Sequence, residues 1–139
     1  MLSPATPGWL IPAEAKTQGN RWLLPAGPLW DAVRTPVTLG LPVVERLREH
    51  PADWAQLGPV LWDDRRDWLY WLVSPGHSDT YPEQARLLGA GSLIGAPLYA
   101  GQRLADAGWL HLPEQRIVSG PAWLAAALGE QASILGSAA

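Results

Sequence analysis

Apolar residues follow two different rhythms along this chain. In WLYWLV (68–73) they fill both alternating sets, with Trp68, Tyr70 and Leu72 on one side and Leu69, Trp71 and Val73 on the other. A strand apolar on both faces is the pattern of a central strand covered on both sides. GPVLW (58–62) is a second apolar run. The five residues between the two, DDRRD (63–67), suit a hairpin loop built around a type I turn. From Thr38 the rhythm becomes helical. Val43, Val44 and Leu47 share one face, while Glu45, Arg46, Arg48 and Glu49 fall on the other. Pro42 fits a first helical turn and His50-Pro51 a stop.

The rest of the chain divides by the same signals. RWLLP (21–25), PLWDAVRTPV (28–37), SLIGAPLY (92–99, ending at Pro97), WLHLP (109–113) and RIV (116–118) read as strands. TYPEQARLLG (80–89) predicts a helix: Thr80 and Glu83 form a capping box, Pro82 lies in the first turn, and Gly89 closes it. QRLADAG (102–108) allows one or two helical turns. A last helix starts at a Ser119 or Gly120 cap, with Pro121 in its first turn. Its stripe is Trp123, Leu124, Ala127 and Leu128, and Gly129 ends it. Residues 1–19 show no sustained period and read as an irregular arm, residues 20–130 as the domain, and 131–139 as a flexible tail. Strands and helices mixed without strict βαβ alternation predict an α+β fold. It is a single compact domain with a mainly antiparallel sheet and helices packed on it.

Composition narrows the classes of function. The 139 residues carry a formal charge of −3, so no basic field gathers phosphate backbones, although a local patch escapes a global sum. With no cysteine there is neither a disulfide nor a thiolate metal site. No signal peptide and no membrane span are predicted, so the expected location is cytoplasmic, with no membrane partner. Gly and Pro, 14 each, make up about 20% of the chain, below the ~25–30% of low-complexity sequences. Nine tryptophans stand beside no phenylalanine. Most read as core, with indole N–H groups at its margin, and some as the lining of an exposed groove.

Chemistry-bearing motifs are sparse. Asp63, Asp64 and Asp67 are the strongest acidic cluster, yet adjacent carboxylates on a strand point to opposite faces, and Arg65 and Arg66 lie between them. The turn is therefore the better reading of DDRRD. GHSD brings His77, Ser78 and Asp79 together, but a hydrolase triad is assembled from separated segments. GAGSLIG misses the dinucleotide fingerprint by one residue. His50, His77 and His111 are too scattered for a zinc site. No metal and no cofactor is expected.

One longer arrangement resembles a known family. RDWLYWLV, SLIGAP, AGW (107–109) and PAWLAAAL, in that order, resemble the later half of the bifunctional DNA primase/polymerase (prim-pol) N-terminal domain. WDAVRTPVTLGLPVVERL with GPVLW is similar to the reduced prim-pol-like proteins of high-GC actinobacteria, and the resemblance covers roughly residues 20–130. Active members carry a D-x-D pair on a strand for divalent metals and a histidine on the aromatic strand. This chain has no D-x-D, and Trp68 stands at that histidine's place. The resemblance thus implies the fold without the two-metal chemistry.

The expectation is a non-catalytic, prim-pol-like domain that engages a protein partner or self-associates. Its candidate binding residues are Trp62, Arg65, Arg66, Trp68, Trp71, His77, Arg103 and Trp109. A second expectation is a metal-independent single-stranded nucleic-acid module related to DNA replication. Bases would stack on tryptophan, and Arg65, Arg66 or Arg103 would meet phosphates. A third is a small enzyme with a pocket centred on His77, with Asp79.

Overall fold

A computed structural model describes residues 6–77, 79–98, 107–113 and 115–137. WLYWLV forms strand β5 (Trp68–Val73), the middle of a five-stranded antiparallel sheet of order β6-β3-β5-β4-β8. Its neighbours are β3 (Asp31–Pro36), with Val33 opposite Trp71, and β4 (Val60–Asp63), with Asp63 opposite Trp68. The outer strands are β6 (Arg86–Leu88) and β8 (Ala107–His111). Both alternating sets of β5 are covered, as its pattern requires. Leu69, Trp71 and Val73 join one core, and Leu72 with the flanking Tyr70 joins the other.

Two helices build the first core. Leu39, Val43, Val44 and Leu47 of α1 (Val37–Arg48) and Leu124 and Leu128 of α3 (Pro121–Ser137) meet Val33, Val60, Leu69, Trp71 and Val73. Helix α1 comes close because Gly40 has no side chain. A Cβ there would stand 2.7 Å from Leu69 Cδ1 and 2.7 Å from Thr35 Oγ1. A short helix, α2 (Pro51–Trp54), follows α1 and puts the Trp54 ring 4.3 Å from the His111 ring.

A second sheet, not helices, covers the other face. Strands β1 (Lys16–Gln18), β2 (Arg21–Pro25) and β7 (Leu93–Pro97) form an antiparallel sheet of order β1-β2-β7. Leu24, Ile94 and Ala96 from this sheet, with Leu10 and Trp30, pack on Ala32, Leu61 and Leu72. The fold is α+β, in three layers: helices, large sheet, small sheet.

Several expectations change. The first nineteen residues are not an irregular arm over their described part. Thr6 Oγ1 lies 3.0 and 2.9 Å from the Pro97 and Leu98 carbonyl oxygens, Leu10 is fully buried, and Lys16–Gln18 is a strand of the small sheet. Residues 80–89 form no helix. Pro82 opens a turn, with Ala85 N–H donating to its carbonyl, and β6 then pairs with the edge of β3. A ten-residue helix is marginal by itself, and a sheet edge offering hydrogen bonds to Leu87 and Leu88 outweighs it. Helix α1 starts at Val37, directly after the Pro36 cap, so Pro42 is interior rather than first-turn. Residues 116–118 are not a strand, although Ser119 bridges Val73. Helix α3 continues through Gly129, so residues 131–137 are helical rather than a tail. Gln131 is buried there, its Oε1 accepting from Arg46 Nη1 at 3.4 Å. Of the helical turns read from QRLADAG, residues 102–106 lie outside the described residues, and Ala107 and Gly108 are strand, the start of β8.

Candidate functional site

The DDRRD segment is a turn, as its composition requires. Strand β4 runs through Asp63, one residue further than the pattern indicated, leaving residues 64–67 as the connection. Asp63 Oδ1 accepts the Arg66 N–H at 3.2 Å, an aspartate bonding its own turn. Asp67 takes a left-handed φ of 56°, which aspartate tolerates better than most residues. Its carbonyl accepts the Val37 N–H at 2.9 Å, tying the hairpin to the start of α1.

That turn also borders a cleft of about 200 Å³. Arg65 and Arg66 line it from the turn, Asp63 from β4, Tyr70 from β5 and Arg21 from β2. Leu93, Ile94 and Gly95 of β7 and Ala107 of β8 complete the wall. Alternation puts Asp63 and Tyr70 there, because both lie on the sheet face opposite the helices. Arg21 reaches the site over Gly95: its Nη1 and Cδ lie 3.6 and 3.7 Å from where a Cβ would stand. Among the described residues, three arginines and one carboxylate line this small space, on a chain whose overall charge is −3. Burial, then the Asp63 carboxylate, pushes the Tyr70 hydroxyl above its usual range, while Arg34 and Arg66 oppose the shift. The phenol thus stays protonated and available as a hydrogen-bond donor.

The structure sorts the sequence-derived candidates. It brings Arg65 and Arg66 together in the cleft. Trp68 does not line it; it is half-buried, with the Arg34 guanidinium 4.3 Å from its ring centroid, a cation–π contact. Trp62 is half-buried against the helix-side core, and Trp109 against the core beneath the small sheet. Trp71 is not a surface contact: it is fully buried, and its Nε1–H donates to Thr35 Oγ1 at 2.9 Å. It lies at mid-strand on the helix-covered face, where no ligand reaches it. His77 is exposed in the loop after Gly76 and lines neither this cleft nor the second cavity. Arg103 falls outside the described residues.

Arg21 and Tyr70 are the site residues that sequence reasoning missed, and Asp63 is one that it weighed and set aside as part of the turn. The one available signal was alternation, which puts Asp63 and Tyr70 on one face; no sequence feature joins Arg21 to them. A different polar group holds the loop before β6. Buried Asp31 accepts the Gly76 N–H at 3.0 Å. Burial, with the Asp79 and Asp31 carboxylates, pushes the Tyr81 hydroxyl up to about 12.

A second cavity, of about 360 Å³, opens between α1, α2 and α3 beside Arg46, His50, Asp53, Trp123 and Glu130. Among the described residues, no group of three or more histidine, aspartate or glutamate side chains is placed to hold a metal ion. None of the described helices is long and apolar enough to cross a membrane. In comparisons with known proteins, no family model, no curated protein and no solved structure matches the chain.

Proposed function

We propose that this chain is a non-catalytic binding domain whose inter-sheet cleft receives a phosphate-bearing ligand, single-stranded nucleic acid foremost, without a metal ion. The observation that carries this reading is the convergence of Arg21, Arg65 and Arg66 on one cleft beside a protonated Tyr70. Guanidinium forks match phosphate oxygens in pairs, which favours phosphate over smaller or less symmetric anions. Half-buried Trp68, opposite Asp63 on the neighbouring strand, is the aromatic side chain on which a base would stack in this reading. The prim-pol resemblance enters this reading as a likeness of layout, not of chemistry, because the sequence has no D-x-D. Such a domain acts in the cytoplasm, where replication exposes single strands.

The test is a titration of fluorescein-labelled single-stranded DNA at low salt, with and without Mg²⁺, followed by anisotropy. Binding should be indifferent to Mg²⁺ and fall steeply with salt, and the Arg65→Ala/Arg66→Ala variant should show a shallower salt slope. No binding at low salt would end the proposal.

One observation favours a second reading, self-association. Helix α3 leaves Ile134 and Leu135 exposed at 49% and 41% near its end. Its exposed positions in the earlier turns are Ala122, Ala126 and Glu130, so an antiparallel copy would set Ile134 and Leu135 against the two alanines. Sedimentation velocity across a hundredfold range of concentration should show dimer for the native chain and monomer for Ile134→Asp. Monomer throughout would remove this reading and leave the cleft untouched.

A further inference from the structure

We infer that Arg34 and Arg86 form a second phosphate subsite, so that a single strand held in the cleft continues across the large sheet toward its β6 edge. This rests on the proposal that the cleft takes single-stranded nucleic acid. The two arginines are direct cross-strand partners in the pairing of β3 with β6. They share the face that carries the cleft. Arg34 is directly opposite Tyr70, which lines the cleft. Leu88, two residues after Arg86, packs in the core beneath the small sheet, so alternation turns Arg86 to that side as well. The pair therefore stands at the β6 edge of the sheet, away from the β8 edge.

Two local costs coincide there. Like charges directly opposite each other on neighbouring strands destabilise the pairing. The Arg34 Nε–H is buried and has no hydrogen-bond partner, which leaves a desolvated donor with nothing to offset it. A sheet built for stability alone would carry neither, and local rules broken together mark a place where a ligand completes the arrangement. The geometry gives that ligand's chemistry. The Arg34 guanidinium lies 4.3 Å from the Trp68 ring centroid, so the ring holds it in place, and Arg86 is exposed beside it. Two neighbouring guanidinium groups match the oxygens of one phosphate, and a backbone diester presents two free oxygens, one for each arginine. Spacing favours a chain over an isolated anion. Arg86 on β6 and Asp63 on β4 are three strand steps apart, about 14 Å at ~4.8 Å per step. One phosphate cannot span that distance, so both places fill together only with a ligand that carries several. Trp68 and Tyr70 of β5 lie between them as aromatic surfaces for the intervening bases.

The experiment titrates the full chain and its variants with fluorescein-labelled oligothymidylates of about three and about twelve nucleotides, at low salt, followed by anisotropy. The longer strand should bind the native chain more tightly than the shorter. Arg86→Ala should weaken binding of the longer strand by about tenfold and lower its salt slope by about 0.7. The same variant should bind the shorter strand as the native chain does, which also reports that it is folded. Arg48→Ala removes an equal charge from α1, on the helix side of the sheet, and should change neither affinity. Arg65→Ala/Arg66→Ala should weaken both. Unchanged binding of the longer strand by Arg86→Ala would overturn the inference while leaving the cleft reading standing. So would equal losses from Arg86→Ala and Arg48→Ala, which would mark a general effect of charge. Failure of both strands to bind the native chain would remove the underlying proposal as well.

Discussion

The two faces of the central sheet are both apolar, yet they end differently. On the helix face, α1 and α3 cover Val33, Leu69, Trp71 and Val73, and all four are essentially inaccessible. On the opposite face, the small sheet seals Ala32, Leu61 and Leu72, but beside the β4–β5 turn it leaves Asp63 and Tyr70 in a cleft with three arginines. The difference lies in what covers each face. Helix α1 can lie directly on the sheet because Gly40 allows contact. The small sheet meets the large one through Leu24, Ile94 and Ala96, while Arg21 and Leu93, at the ends of their strands, reach the cleft. Sealing favours stability, and the open end is where a ligand can be held.

That contrast can be broken from either side. The largest effect should come from Gly40→Ala. Alanine normally improves a helix, but here its methyl would press on Leu69 and Thr35, and overpacking of this kind costs about 1–3 kcal/mol. A lowered midpoint in urea denaturation would show it, with ligand affinity per folded molecule unchanged. Thr35→Val should follow. It removes the acceptor of the Trp71 indole and strands a buried donor, at about 1–3 kcal/mol. A valine variant as stable as the native chain would mean that the bond contributes nothing to the sealed face.

On the open face the pattern should invert. Arg65→Ala/Arg66→Ala should leave the denaturation midpoint where it was, since both residues are exposed, and weaken single-strand binding by at least tenfold. An equal loss of stability would erase the distinction between the two faces. The smallest effect is expected at His111, on the edge strand β8. Burial, aided by the Arg48 charge, holds its imidazole below the usual histidine range against the opposing effect of a hydrogen bond with the Leu57 backbone. The folded chain then binds fewer protons than the unfolded one. This contribution to stability is complete above the ordinary histidine pKa and is lost as pH falls through it. Stability measured from pH 8 to 5 should slope downward, and His111→Asn should flatten the slope.

Much of the layout was legible along the chain. The double-faced pattern of Trp68 to Val73 identified the central strand, and DDRRD identified its hairpin turn. RWLLP and LIGAP became strands where they were read. The misses share a cause. Residues 80–89 carry good helix-capping signals, yet β3 offered an open edge and residues 86–88 paired with it. Gly129 looked like a stop, but burial of Leu128 and Gln131 carries α3 past it. Lys16–Gln18 has no strand pattern of its own and is exposed throughout; β2 makes it a strand by pairing with it. The site shows the same division. Arg65 and Arg66 are legible as charges at a hairpin tip, whereas the helices that cover its face, not the sequence, decide that Trp71 is sealed from any ligand.

The sequence by itself determined which segments alternate, which stretch is central and where its turn falls, because side-chain direction repeats locally every two or 3.6 residues. Only the tertiary structure decided that a second sheet covers one face, that residues 86–88 add an edge strand, and that Arg21 stands beside Arg65 and Arg66. Those three outcomes depend on contacts between residues far apart in the chain, and no local periodicity encodes which distant segments will meet.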